Sequence, residues 1–291
     1  MIASKLCGGY TPLGVDFFSA ERKQRVISLD LSEIDILRLQ KAFSAVGSTG
    51  FFPAFRNLFR ARMPIATFLF LRFDPGKAPV LLNAWLSSSR IPVSALDDYS
   101  ETTYPFDPFF QHDEVPKTGA LYRLPEIAPD RFFSSEYYLE YYRSTGLCDE
   151  VGMLVPLPTG ARAHISMSRL EDMGPFKRRE IQCLKGFAPV LLEMLRQHAR
   201  AISPPEPSGL TADTHPLPML IRTYAKDALS IHLTAREAEI AALVLQGHSN
   251  ASAALALDIA RETCKVHRRN LYRKLSISSQ RELFGCLKHL L

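Results

Sequence analysis

The chain has 291 residues, 46% hydrophobic and 22% charged, the composition of a globular protein long enough for two domains of roughly 100–200 residues each. Its longest mostly apolar run, Ile65–Leu71, falls far short of the roughly 18 residues a spanning helix needs, and no basic segment feeds an apolar signal core at the amino terminus, so no membrane association and a cytoplasmic location are expected. The net charge of +5 is unevenly placed: residues 230–291 carry nine basic and five acidic side chains, whereas the first 229 carry 26 and 25, which points to a polyanion partner for the C-terminal piece alone.

In chain order, helical periodicity is expected over Leu31–Val46 and Pro53–Arg62, followed by strand-like runs at Ile65–Phe73 and Val80–Leu86. A third strand is expected at Ala120–Leu124, a helix at Ser135–Thr145, and two more strands at Gly152–Pro156 and Arg162–Ser168. The long amphipathic stretch Pro175–Arg200 puts Ile181, Leu184, Phe187, Ala188, Leu191, Leu192 and Leu195 on one stripe. Five short strands and covering helices predict an α+β chain whose N-terminal domain is an antiparallel-sheet α/β sandwich. Ser203–Pro218 contains five prolines, which forbid regular helix or central strand, and is read as a linker.

Beyond the linker the strand signal disappears and capping chemistry becomes dense. Thr234-Ala-Arg-Glu237 forms a capping box that opens a helix running to Gly247, where a residue free to adopt positive φ can end it. Ser249 and Asn250 are candidate caps for a short helix through Leu257, a third helix covers Arg261–Leu275, and Ser279-Gln-Arg-Glu282 opens a fourth. Along the third helix, Leu271 and Leu275 lie within about 20° of Cys264 at about 100° per residue, which defines a buried stripe with His267 at its margin. The far side carries Glu262, Val266, Arg269 and Arg273, flanked by Lys265 and Asn270. Such a face is either a solvated surface of mixed charge or a reader of the DNA major groove, which asks for donors to guanine, an amide for adenine and an apolar contact for the thymine methyl.

The segment from Leu233 to Phe284 resembles the helix-turn-helix of LuxR-type (GerE-like) transcriptional regulators in Leu233-Thr234-x-Arg236-Glu237, Gly247 with Ser249-Asn250, Thr263-x-Lys265-Val266-His267, Asn270 and Lys274-Leu275. The resemblance implies a sequence-specific, dimeric DNA-binding architecture of the kind these regulators share: double-stranded DNA and a second copy of the chain as partners, with RNA polymerase as a further one. It also implies base contacts by Lys265, Val266 and Arg269, and backbone contacts by Ser249, Asn250, Thr263, Asn270, Arg273 and Lys274. One departure is Ala260, where such regulators usually place a Ser or Thr cap; Asp258 is expected to cap the turn instead. The domain division that follows is 1–202 for a sensor and dimerisation domain, 203–218 for the linker and 219–291 for the helix-turn-helix.

Leu121–Leu170, continued by Gly174–Leu195, is similar to GAF-like sensor domains that precede LuxR-type helices. Tyr104-Pro-Phe-Asp107-Pro108-Phe109 is similar to the Asp-Pro of acyl-homoserine-lactone receptors, but Ser94 and Asp98 stand where those carry Trp and Tyr, which argues against a lactone and makes Asp107 a helix cap or turn residue. A small-molecule pocket between the sheet and its helical cover is expected to be lined by Phe68, Phe70, Trp85, Tyr104, Tyr122, Met153 and His164. No cofactor or metal is expected. The five cysteines are scattered without a Cys-x-x-Cys pair, and there is neither a Gly-rich phosphate loop nor a nucleophile-His-acid signature, which weighs against the alternative of an enzyme that uses the helices for targeting. The apolar residues Leu283, Phe284, Leu287 and Leu290 suggest dimerisation through the fourth helix, and the Pro-rich linker with the long helix Pro175–Arg200 suggests control through a tether instead of a rigid interface.

Overall fold

The computed structural model describes residues 32–60, 63–87, 91–92, 94–202 and 216–287. Helices α1 (Glu33–Ser44) and α2 (Phe51–Arg60) precede strands β1 (Thr67–Phe73) and β2 (Val80–Leu86). An irregular helical stretch leads to β3 (Ala120–Arg123), and a second one leads to β4 (Leu147–Pro156) and β5 (Arg162–Leu170), after which α3 (Arg178–Ile202) closes the N-terminal domain, the candidate sensor. All five strands form one antiparallel sheet in the order β2-β1-β5-β4-β3. The α+β class, five strands and covering helices agree with expectation. The main revision is β4, which begins five residues earlier than its apolar run because Asp149 and Glu150 lie in it, buried and hydrogen-bonded.

Register determines which side chains share a face. Thr67 pairs with Ser168, Leu69 with Ser166 and Leu71 with His164, while Glu150, Gly152 and Leu154 of β4 continue the same three rows from the other side of β5. The alternate rows are Phe68-Met167-Val151 and Phe70-Ile165-Met153. Since side chains alternate across a strand, the sheet has one largely apolar face and one face with a polar centre. The apolar face packs against α1, α2 and α3, where Phe51, Phe55, Phe59, Leu184, Leu191 and Leu195 complete a core. The other face is covered by the helical stretches 94–111 and 124–145.

The helix-turn-helix region contains α4 (Leu217–Asp227), α5 (Ala235–Leu245), α6 (Asn250–Ala256), α7 (Arg261–Leu275) and α8 (Gln280–Leu287). Helix α4 was not expected. It starts where the linker was thought to end, with Pro218 in its first turn, a position that tolerates proline because no amide bond is lost there. Residues 203–215 of the linker lie outside the described residues. Leu283 and Leu287 are buried inside the five-helix core, and Phe284 packs on Phe106 of the sensor with ring centroids 6.0 Å apart, so these three side chains are occupied within one chain; Leu290 lies outside the described residues. The two regions also share a continuous apolar cluster, which corrects the expectation of a tether instead of a rigid interface.

Candidate nucleic-acid interface and ligand cavity

The capping box at Thr234 and Glu237 forms as expected: the Glu237 amide donates to Thr234 Oγ1 at 3.2 Å and the Thr234 amide to Glu237 Oε2 at 2.8 Å. Gly247 ends the segment at φ 93°, and Ser249 caps α6 by accepting from the amides of Ala251 and Ser252. Helix α7 has no side-chain cap at Ala260, and Asp258 instead takes the left-handed turn conformation, φ 51°, between α6 and α7. Cys264, Leu271 and Leu275 are buried, while His267 is half-buried at the edge of that stripe.

Thr263, Lys265, Val266, Arg269 and Arg273 are exposed on α7, with Asn270 half-buried beside them. The one acidic residue on this side, Glu262, accepts from Lys265 Nζ at 2.7 Å, and an exposed pair of this kind is weak enough for a phosphate to replace it. Two of the expected backbone contacts are engaged inside the domain. Lys274 Nζ donates to Glu237 Oε2 at 2.7 Å and to the His232 carbonyl at 3.0 Å, which ties α7 to the start of α5. Burial pushes the Glu237 carboxyl up, but bonds from Lys274 and Thr234 outweigh it and hold the group below its ordinary range. Asn250 Oδ1 accepts from Arg268 Nη1 at 3.1 Å. Arg268 was missed in the sequence because it lies near the buried stripe; its guanidinium also bonds the Tyr272 hydroxyl at 2.9 Å and sets the angle between α6 and α7. The signal was available in the Arg268–Tyr272 spacing of four.

Ser249 is engaged differently. Its amide donates to Asp130 Oδ1 of the sensor at 2.9 Å, and beside it the Arg131 amide donates to the Gly247 carbonyl at 2.9 Å. Gln246 Nε2 reaches the Pro105 carbonyl at 3.3 Å.

A small cavity of about 40 Å³ lies between the polar sheet face and its helical cover, lined by Thr67, Ser166, His164 and Glu150 from the sheet and by Tyr99, Asp107, Tyr137, Tyr141 and Tyr142 from the cover. Two π-helical turns, Tyr99–Thr103 and Tyr138–Tyr142, help set these tyrosines, and such turns often occur at functional sites. Asp107 caps the turn at Pro108 by accepting from the Phe109 amide at 2.9 Å, as expected, and also accepts from the Tyr99 hydroxyl at 2.6 Å. Glu150 accepts from the Ser166 hydroxyl at 2.6 Å and from the Tyr142 hydroxyl. Burial raises the Glu150 carboxyl to about 8, and raises Asp107 to about 6 against the opposing pull of Tyr99 and Phe109. The hydroxyl of Thr67 and both ring nitrogens of His164 are buried with no hydrogen-bond partner among the described residues, and burial lowers the imidazole to about 3. Gly152 makes room for this ring: a Cβ there would stand 2.7 Å from His164 Nε2 and 2.3 Å from Phe109 Cε1.

Of the seven expected ligand residues, only His164 lines this cavity. Phe68, Phe70 and Met153 belong to the apolar rows on the opposite face, and Trp85, paired with Phe68, lies on that side under the Arg56 guanidinium at 4.5 Å. Tyr122 shares the cavity face but packs on His112, with ring centroids 4.5 Å apart, while Tyr104 lines a separate groove between the sensor and helices α4 and α5. Membership of a strand does not by itself tell which face of the sheet a side chain takes, because successive residues alternate.

An exposed basic helix held against a short capped helix, beside a sensor-like sandwich, defines a helix-turn-helix DNA-binding regulator. The model of bacterial regulatory proteins of the luxR family matches residues 232–286. An HTH-type transcriptional regulator in the exeN 3′ region of Aeromonas salmonicida is 31% identical over 187 residues, which span 64% of this chain and 95% of that protein. MalT of Vibrio campbellii is 40% identical over 78 residues, 26% of this chain and only 8% of MalT. Among solved structures, the VqsR LBD domain from Pseudomonas aeruginosa superimposes with a TM-score of 0.50 at 20% identity, covering 58% of this chain and 98% of that one, a likeness of fold. The chain belongs to the LuxR family of bacterial transcriptional regulators.

Proposed function

We propose that this regulator reads DNA with the exposed face of α7, using Lys265, Val266 and Arg269 on base edges and Thr263, Asn270 and Arg273 on the backbone, with Ser249 and Asn250 completing the backbone contacts. Lys274 acts by bracing α7 against Glu237. The observation that carries this reading is the exposure of Lys265, Val266, Arg269 and Arg273 together on one side of a helix whose other side is buried. The chain works in the cytoplasm, without catalysis, as a homodimer on paired half-sites about one DNA turn apart. Residues 1–202 form the sensor, 203–218 the connection and 219–291 the DNA-binding unit, whose first helix, α4, begins two residues earlier at Leu217.

The cavity beside His164 and Glu150 is the seat of a small-molecule signal. Buried polar atoms without partners are costly, and a ligand able to bond Thr67 and His164 would remove that cost. Binding-site selection on the full chain tests the DNA reading. Arg269→Ala is expected to weaken specific binding by about 1–3 kcal/mol and to relax one base position, whereas Arg273→Ala weakens all sequences alike. If both variants keep the wild-type affinity and sequence ranking, α7 is not the reading helix.

A further inference from the structure

We propose that the turn Pro129–Phe132 of the sensor is an autoinhibitory clamp on the DNA-binding unit, in which the Asp130 carboxylate occupies the Ser249 amide that DNA backbone contact requires. The inference rests on the reading of Ser249 as a backbone-contacting residue. It concerns a contact between parts of one chain, and several independent features converge on it.

The first is the pairing itself. The Ser249 amide donates to Asp130 Oδ1 at 2.9 Å, and the adjacent Arg131 amide donates to the Gly247 carbonyl at 2.9 Å. These bonds hold the two segments side by side. The second is how closely the backbones approach. Gly247, at φ 93°, lies so near the turn that a Cβ would stand 2.8 Å from Phe132 Cα and 3.0 Å from Phe132 N. No phosphodiester can enter that space while the turn is docked. The third is charge: burial pushes the Asp130 carboxyl up, but bonds with Ser249 and Ser252 outweigh it and keep the group below its ordinary range, so a negative charge faces any approaching phosphate. The fourth is the apolar backing, in which Phe284 of α8 packs on Phe106 and Gln246 bonds the Pro105 carbonyl.

The clamp leaves the reading face of α7 exposed and acts on docking register. Phe106 and Phe132, which face the DNA-binding unit, each pack on Tyr137 with ring centroids 5.9 Å apart, and Phe132 packs on Tyr142 at 5.9 Å. Tyr137 and Tyr142 also line the buried cavity. A group that displaces those two tyrosines therefore moves the rings that hold the clamp, and a ligand with higher affinity for the displaced arrangement would favour release.

The test uses the full chain, a labelled 30-base-pair duplex of random sequence at fixed salt, and fluorescence anisotropy. If undocking limits binding, Asp130→Ala should tighten duplex binding roughly three- to tenfold, the effect of losing one bond of ordinary strength on the population of the open form. Glu140→Gln removes an exposed charge from the same region without touching the contact and should change affinity less than about twofold. Amide hydrogen exchange supplies a readout independent of DNA: the Ser249 amide should exchange faster in Asp130→Ala by a similar factor. An affinity gain no larger than that of Glu140→Gln, or unchanged exchange at Ser249, overturns the clamp. Adding Arg273→Ala, which removes a backbone contact common to all sequences, to Asp130→Ala separates the two levels. A loss of binding in the double variant, with no gain from Asp130→Ala alone, overturns the clamp and keeps the DNA interface; unchanged binding in the double variant overturns the interface itself.

Discussion

At the scale of single residues, the N-terminal domain concentrates its unusual chemistry on one face of one sheet. Glu150 is buried, and its carboxyl is raised from 4.5 to about 8. The folded chain therefore binds this proton more tightly than the unfolded chain does. The resulting stabilisation is complete below about pH 4.5 and is lost as the pH rises to about 8. Glu150→Gln keeps the shape and removes the titration, so its melting temperature should fall less steeply than that of the wild type between pH 6 and 9. Across that range the wild type should therefore lose stability relative to the variant. Parallel pH profiles for the two proteins would refute a protonated Glu150. Asp107, raised to about 6, adds a smaller slope of the same sign at lower pH.

Elements differ in how completely their ends are specified. Helix α5 has a full capping box and α6 has Ser249, but α7 begins at Ala260 without a side-chain cap, although it is the helix assigned to read DNA. Ala260 already has the extended backbone a cap residue adopts, φ −65° and ψ 142°, so a hydroxyl there needs no rearrangement. Ala260→Ser is expected to stabilise the chain by about 0.5–2 kcal/mol in urea unfolding. No gain would mean that α7 is held by packing through Cys264 and Leu271 strongly enough to make its first turn irrelevant. The cover of the cavity shows the opposite strategy. Its short helical pieces and two π-helical turns present Tyr99, Tyr137, Tyr141 and Tyr142 inward, where a regular helix would turn some of them away.

Across the whole molecule, the sensor and the DNA-binding unit share one apolar cluster, and Phe284 joins them at Phe106. Such sharing couples their unfolding. The full chain should melt in a single transition, and Phe284→Ala should separate it into two, with the DNA-binding helices losing about 1–3 kcal/mol and unfolding first. Circular dichroism followed beside tyrosine fluorescence from the cavity cover can resolve this, because the tyrosines lie mainly in the sensor. Coincident transitions in Phe284→Ala would show that the coupling does not run through this contact.

The amino-acid sequence by itself determined the local features: five strands from their β-branched and aromatic runs, the capping box at Thr234, the Ser279 hydroxyl that accepts the Glu282 amide, the turn at Gly247 and the amphipathic division of α7. These depend on residues within a few positions of each other, so a short window contains their causes. The polar face of the sheet was not legible in that way. Phe68 and Thr67 are neighbours in the chain and lie on opposite faces of the sheet, and only the pairing of β1 with β5 and β4 shows that Thr67, Ser166, His164 and Glu150 meet around one cavity. The same holds for Lys274 with Glu237 and for Asp130 with Ser249, which are 37 and 119 residues apart. A charge that looked available to DNA is already bonded in one case, and a surface turn becomes a contact of the DNA-binding unit in the other. Tertiary structure decided both, because a side chain's role depends on which distant group satisfies it.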